Sequence, residues 1–348
     1  MTKQVSAGTV RIGGGAPVSI QSMCNTDTRD VSATVAQILA LEAAGCEIVR
    51  VAVFDQKAAD AIAAIRPQIH IPLVADVHFD YRLAIRAVEN GVDKLRINPG
   101  NIGDASRVRA VADCASAHHI PIRIGVNGGS LEKELHDAYR KDPAAAMLQS
   151  ALGHAKLLED CGFSDIVLSL KCTTVQATVA AYRLAHARTD YPLHIGMTET
   201  GPIEMGVVKS AAGIGSLLLD GIGDTLRVSL TGDPVKEVTL GLAILRAVGL
   251  RKDDVEIVSC PTCGRTRCNV EEAVAYVDKH VRHNCGYLKI AVMGCAVNGP
   301  GEARDADIGV AFGDGNGILF KKGVSIWHGA YAEVLARLVT EANALLGA

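Results

Sequence analysis

The stretch PLVADVHFDYRLAIRAVENGVDKLRINPG (Pro72–Gly100) contains one complete unit of the fold. Two short β-branched runs, PLVADVHF (Pro72–Phe79) and KLRINPG (Lys94–Gly100), flank a segment whose apolar residues recur at helical spacing. The same alternation extends in both directions. Upstream lie PVSIQSM (Pro17–Met23) and EIVRVAV (Glu47–Val53). Downstream lie PIRIGVN (Pro121–Asn127), DIVLSLK (Asp165–Lys171), PLHIGMTE (Pro192–Glu199) and TLRVSL (Thr225–Leu230). Helical spacing follows each run, as in Val31–Ala44, Ala105–His118, Ala144–Cys161 and Pro234–Val248, the last opened by Asp233 as N-cap and Pro234 in the first turn. Eight such units predict an α/β protein whose residues 1–251 form a (β/α)8 TIM-type barrel. A doubly wound sheet is the alternative, but no GxGxxG follows the first strand and eight units overfill that fold. The glycines of GIGSLLLDGIG (Gly213–Gly223) have the wrong spacing for a nucleotide loop and read as helix packing and a turn.

From residue 252 the pattern changes, predicting a small α+β domain over 252–348. VEIVSC is a strand ending at a cysteine, Asn269–Arg282 a helix, and LKIAVMG a second strand ending near Cys295. Asp307–Phe320 reads as a hairpin around GDGNG, and Trp327–Leu346 as a closing helix. The two strands are expected to be parallel and to deliver their cysteines to one edge.

Composition bounds the function. The 348 residues exceed the roughly 250–300 of a single core, and 49% are apolar with few aromatics, which suits tightly packed α/β architecture. A net charge of -3 argues against nucleic-acid binding. No run reaches the ~18 apolar residues of a membrane span, and the first residues lack the apolar core of a secretory leader. The expectation is therefore a cytoplasmic protein whose ten cysteines are reduced thiols. Cys46, Cys114 and Cys161 sit in Ala/Leu-rich stretches and read as core filler.

Barrel strands present one parity inward, and their C-terminal ends build the active site. That parity is polar in strand after strand: Arg50; Asp76 and His78; Arg96 and Asn98; Arg123 and Asn127; Ser169 and Lys171; Arg227 and Ser229, with Glu199 ending the seventh strand. Rim ion pairs would explain one arginine. Four arginines and a lysine against Asp76 and Glu199 instead imply an anion between them, and forked guanidinium groups suit a diphosphate. His78 reads equally as structural or catalytic, and Glu199 as proton donor, acceptor or charge balance.

CPTC (Cys260–Cys263) leaves zinc and iron open, with Cys268 and Cys285 also at hand. No second CxxC or histidine pair follows at ribbon spacing, whereas an iron–sulfur cluster tolerates scattered thiolates such as Cys295. Glycine-rich GCAVNGPGE suits a backbone approaching a bulky group. Its Glu302 is either an exchangeable hard ligand or a solvated loop carboxylate. A zinc-stabilised barrel lyase for phosphosugars is the competing class, distinguished by its lack of colour.

VSIQSMCNTDTRDV, EIVRVAV, PLVADVHFDYR, LRINPGNIG, IPIRIGVNGGSLEK, GIGDTLRVSL, SCPTCGRT and GCAVNGPGEA together resemble the IspG/GcpE family of 4-hydroxy-3-methylbut-2-enyl diphosphate synthases, nearly end to end. The resemblance implies a two-domain form with a [4Fe–4S] cluster on Cys260, Cys263, Cys295 and Glu302. It implies substrate contacts from Arg50, Asp76, His78, Arg96, Asn98, Arg123, Asn127, Lys171, Glu199, Arg227 and Ser229. The implied reaction is two-electron reductive ring opening and dehydration of 2-C-methyl-D-erythritol 2,4-cyclodiphosphate, with flavodoxin or ferredoxin as donor. Glu199 and His78 are the candidates for proton delivery, and Glu302 the exchangeable arm. A homodimer is implied, the cluster domain of one subunit closing on its partner's barrel. Two departures stand out: Cys24, where members commonly carry Thr, and Cys268, which has no place in the family's ligand set.

Overall fold

Six of the seven capped turns that follow barrel strands end in aspartate. Asp30, Asp55, Asp80, Asp104, Asp142 and Asp233 each accept a backbone N–H two or three residues on, and Thr174 does the same. These caps start helices at fixed points beyond the strands, because a side-chain oxygen satisfies donors the first turn leaves free. The computed structural model describes residues 1–295 and 303–347 and divides into two units, Met1–Leu250 and Arg251–Ala348.

In the first unit, β1 (Gln4–Ala7) and β2 (Val10–Gly13) form an antiparallel hairpin that the sequence reading did not anticipate. Eight parallel strands follow: β3 (Ser19–Met23), β4 (Ile48–Ala52), β5 (Leu73–Asp76), β6 (Lys94–Ile97), β7 (Ile122–Asn127), β8 (Ile166–Lys171), β9 (His194–Ile195) and β10 (Thr225–Leu226). The helices are α1 (Val31–Ala43), α2 (Gln56–Ile65), α3 (Tyr81–Glu89), α4 (Ala105–Ala117), α5 (His136–Lys141), α6 (Pro143–Glu159), α7 (Val175–Arg188), α8 (Ile203–Leu219) and α9 (Pro234–Ala247). Sheet order is β8-β7-β6-β5-β4-β3-β10-β9. The Leu168–Leu193 bridge joins β8 to β9 and closes the ring, with Leu168 N–H donating to Pro192 O at 2.9 Å. The expected barrel is present.

The apolar core lies between strands and helices, with Ile38, Ile62, Val111, Leu158 and Leu245 all buried from the helix side. Inside the ring the bottom is apolar: Val5, Ala7 and Ile12 of the hairpin pack on Ile48, Val74 and Val167. Two residues further along the same strands the side chains become polar, so the hairpin is the floor beneath a hydrophilic interior.

In the second unit β11 (Val255–Ser259), β12 (Leu288–Met293) and β13 (Ile308–Phe312) are parallel, and β14 (Asn316–Lys321) and β15 (Val324–Ala330) continue antiparallel. Helices α10 (Val270–His280) and α11 (Tyr331–Leu346) cover the sheet through Val277, Val334 and Leu338. The hairpin around GDGNG forms, but Trp327 belongs to β15 and the final helix starts at Tyr331. Among the described residues, no helix is long and apolar enough to cross a membrane.

Candidate active site

The strand ends of the first unit enclose a cavity of about 150 Å³. Arg50, Asp76, His78, Arg96, Arg123, Asn127, Lys171, Arg227 and Ser229 line it, nine of the eleven residues expected around the substrate, together with Ser169 and Thr198. Asp76 is its electrostatic centre. Its Oδ1 accepts from Arg96 Nη1 at 3.0 Å and lies 3.5 Å from His78 Nε2, while Oδ2 is 3.6 Å from Arg50 Nε. Burial alone would raise the Asp76 carboxyl, but Arg50, the His78 hydrogen bond and Arg96 hold it well below the usual carboxylate range. Arg96 Nη2 also donates to Gly125 O at 2.8 Å, fixing the guanidinium plane.

Arg227 has a different partner, which sequence reasoning missed. Glu237, on the first turn of α9 and buried, accepts from Arg227 Nη2 at 3.2 Å and Nε at 3.3 Å. It also accepts from Leu230 N–H at 3.0 Å and Ser22 Oγ at 3.2 Å. Arg123 and Lys171 have no ion pair among the described residues. Burial, then neighbouring arginines, depresses both well below their ordinary values. Burial also lowers Arg50 to about 10. Five basic side chains thus meet two carboxylates in one largely buried pocket, an arrangement that an anion would complete.

Two expected residues stand apart. Asn98 is buried beside the cavity, its Oδ1 accepting from Gly125 N–H at 3.0 Å, so it braces β7. Glu199 has the opposite parity to Thr198, is exposed, and takes a positive φ of 52°. It sits on the rim, where its Oε1 is 3.6 Å from the position of a Cβ on Gly129. The loops after β6 and β7 are clamped together. Gly100 N–H donates to His154 Nδ1 at 3.1 Å, and His154 Nε2 is 2.8 Å from Glu132 Oε1.

A further polar layer lies beneath the mouth. Lys94 is fully buried two residues below Arg96, and its Nζ has no hydrogen-bond partner among the described residues. The same holds for both ring nitrogens of His194, the Gln21 amide and the Ser19 and Thr225 hydroxyls. The register pairs Thr225 with His194 on one side and Ser19 on the other, placing them at one level. Burial pushes Lys94 and His194 down, helped by Arg123 and Arg50. The period-2 pattern of Arg96 and Asn98, extended one step back, contained Lys94 all along. Two inward glycines make room: a Cβ on Gly125 would sit 2.5 Å from Arg96 Nε, and one on Gly196 would meet Lys171 Nζ at 2.9 Å.

In the second unit Cys260 follows β11 and Cys295 follows β12, the adjacent parallel strand. Gly294 N–H donates to Cys260 Sγ at 3.2 Å, the kind of bond that stabilises a thiolate ligand. The CPTC loop turns back through Cys263 N–H to Thr266 Oγ1, 3.0 Å, and Arg267 N–H to Gly294 O, 2.8 Å. Cys260, Cys263 and Cys295 form no disulfide and are at least partly exposed. Among the described residues no three His, Cys, Asp or Glu side chains gather as a ready metal site, and Glu302 lies outside those residues. Soft, accessible thiols at the ends of neighbouring strands, one already hydrogen-bonded by backbone, fit an iron–sulfur group. Cys24 is buried in the barrel wall and raised to about 12 by burial, and Cys268 packs on the second core and is raised to about 11. Both are therefore protonated at neutral pH.

A (β/α)8 barrel with a mouth lined by basic side chains, followed by an α+β unit with Cys260, Cys263 and Cys295 accessible beside the ends of neighbouring strands, defines a two-unit barrel protein whose mouth suits an anion. Comparison makes it specific. Residues 2–242 match the family description "GcpE TIM-barrel domain" and residues 256–344 "GcpE protein C-terminal domain", and the chain belongs to the GcpE family. It is 56% identical over 323 residues to 4-hydroxy-3-methylbut-2-en-1-yl diphosphate synthase (flavodoxin) of Caldanaerobacter subterraneus subsp. tengcongensis, covering 93% of this chain and 91% of the relative. It is 54% identical over 345 residues to the protein of the same name from Geobacter sulfurreducens, covering 99% and 98%. Among solved structures, Yersinia pestis dihydropteroate synthase aligns with a TM-score of 0.52 at 12% identity over 71% of this chain and 98% of its own, which shows the barrel fold alone.

Proposed function

We propose that this chain converts 2-C-methyl-D-erythritol 2,4-cyclodiphosphate to (E)-4-hydroxy-3-methylbut-2-enyl diphosphate in the cytoplasm, drawing two electrons from flavodoxin. The observation that carries the reading is the mouth of the barrel, where five cations face two carboxylates. Residues 1–251 bind the cyclodiphosphate, and residues 252–348 hold a [4Fe–4S] cluster through Cys260, Cys263, Cys295 and Glu302. When bound, the cluster supplies the electrons one at a time.

The chain's own residues do the rest. Arg50, Arg96, Arg123, Lys171 and Arg227 grip the diphosphate oxygens. Asp76 and Glu237 orient the guanidinium groups so that little reorganisation is needed as charge develops. Two electrons enter, and the ring C–O bond breaks with its electron pair going to the diphosphate oxygen. A hydroxyl then leaves as water after taking up one proton. His78, half exposed at the cavity edge, and Glu199 on the rim exchange protons with solvent and stand as donors to that hydroxyl. Asn127, in the cavity lining, contacts the substrate, and Asn98 holds β7 beside it.

The test is turnover by anaerobically reconstituted protein with reduced flavodoxin, and separately with reduced ferredoxin. Conversion of the cyclodiphosphate with flavodoxin is expected, and its absence with either donor overturns the proposal. Cys295→Ser is expected to lose the brown iron–sulfur absorption, whereas Glu302→Ala keeps iron and loses most turnover. Full activity in iron-loaded Glu302→Ala would remove the carboxylate from the ligand set.

A further inference from the structure

The reaction above makes no use of Lys94, yet the fold keeps this amine in the barrel interior. Its side chain is 0% exposed and its Nζ meets no hydrogen-bonding atom of the described residues. The groups facing it are Arg123 from β7 and Arg50 from β4, with His194 from β9 within electrostatic reach and Arg96 on its own strand. The two carboxylates nearby are committed: Asp76 to Arg96 and Arg50, and Glu237 to Arg227. Water inside the barrel can hydrogen-bond the amine but brings no negative charge. An ammonium there is opposed both by desolvation and by like charges.

We propose that Lys94 is a proton-uptake group of the substrate site, neutral while the mouth holds no anion and protonated once the cyclodiphosphate lies above it. This rests on the reading that the mouth binds that substrate. Each phosphorus of the cyclic substrate carries one strongly acidic oxygen, so two full negative charges arrive at the layer directly above Lys94. Two residues of strand separate the layers, about 7 Å. At that range, with an effective dielectric constant of ~20, each charge shifts the amine's protonation equilibrium by roughly fiftyfold, and the two together by on the order of a thousandfold. Among the described residues, the floor packed on Ile48, Val74 and Val167 and the apolar wall outside the ring bring no further countercharge to the amine. Binding and proton uptake are therefore one linked event, and affinity falls as pH rises through the substrate-bound pKa of Lys94.

The experiment is calorimetric titration of the oxidised holoenzyme, without reductant, with the cyclodiphosphate at about pH 8 in two buffers of different ionisation enthalpy. Because the cyclic diester does not titrate near neutrality, the buffer-dependent heat counts protons taken up by the protein. Wild type is expected to take up on the order of one proton per substrate, and Lys94→Met to take up far less while still binding. Equal uptake in both proteins, or binding by wild type without uptake, overturns the role of Lys94 and leaves the substrate reading intact. No binding by wild type at all sinks that reading, and this inference with it. Should Lys94→Met fail to fold, carbon-labelled lysine in the wild type answers the question. One Cε resonance must move from its neutral to its charged position on substrate addition, and no such movement overturns the proposal.

Discussion

Arg96 gathers most of the site's logic into one side chain. It pairs with Asp76 at 3.0 Å, touches a main-chain oxygen of β7 at 2.8 Å, and presents the rest of its guanidinium to the cavity. Arg96→Ala leaves buried Asp76 with only the longer contacts to Arg50 and His78 and removes a charge from the anion's side. It is expected to raise the dissociation constant for the cyclodiphosphate at least about tenfold, since truncating one member of a buried charge pair costs ~2–5 kcal/mol. An unchanged constant would count against the polyanion site. Lys94 predicts an effect on stability with a definite sign. Its folded-state pKa lies below the unfolded value, so between the two the unfolded chain binds more protons and stability rises with pH. Lys94→Met is thus expected to stabilise the protein near neutrality, by about 1–3 kcal/mol, with the gain shrinking as pH approaches ~10. Melting temperatures at pH 7 and 10 check this. At this scale the sequence was informative where parity operates: Arg50, Asp76, Arg96, Arg123 and Lys171 fall on one face of their strands because alternation leaves no choice. Glu237 escaped because it comes from a helix, where PVKEV reads as an ordinary charged first turn. Glu199 falls on the rim rather than in the cavity lining because the chain has already left the strand when it reaches that residue.

Among elements, β7 and β9 owe their place beside the site to what they lack. Gly125 and Gly196 face inward between larger neighbours, yet their Cβ positions meet different obstacles. On Gly125 the obstacle is the movable end of Arg96. On Gly196 it is the Arg227 carbonyl as well as Lys171. Gly125→Ala is expected to fold with less than about 1 kcal/mol lost but to bind substrate several-fold more weakly, because Arg96 must leave its plane. Gly196→Ala must move backbone and is expected to lose about 1–3 kcal/mol of stability. Urea titration and substrate binding of both variants separate the two effects. Element types were legible wherever a strand had a buried face and a helix an aspartate cap. They were not legible at β15, whose residues Val324–Ala330 are exposed or half-buried throughout, so VSIWHGA offered no alternation to read. Trp327, taken there for the start of the last helix, instead pairs with Leu319 across the sheet.

For the molecule as a whole, the pairing that the family resemblance implies, of one subunit's barrel with its partner's cluster unit, has a direct test by mixing variants. Arg96→Ala disables the barrel and Cys295→Ser the cluster, and each alone is expected to be nearly inactive. Mixed after dissociation, the two should recover about a quarter of wild-type activity per chain, since half the dimers are mixed and each has one intact composite site. No recovery points to a site formed within one chain. The hairpin beneath the barrel, finally, has a meaning in time as well as in space. Its contacts reach Ile48, Val74 and Val167, while Thr2 Oγ1 donates to Asp224 Oδ1 at 2.8 Å. The hairpin thus has no complete docking surface until about two hundred residues beyond it have been made. A segment made early is seated late. Ile12→Ala should accordingly quicken unfolding far more than it slows folding.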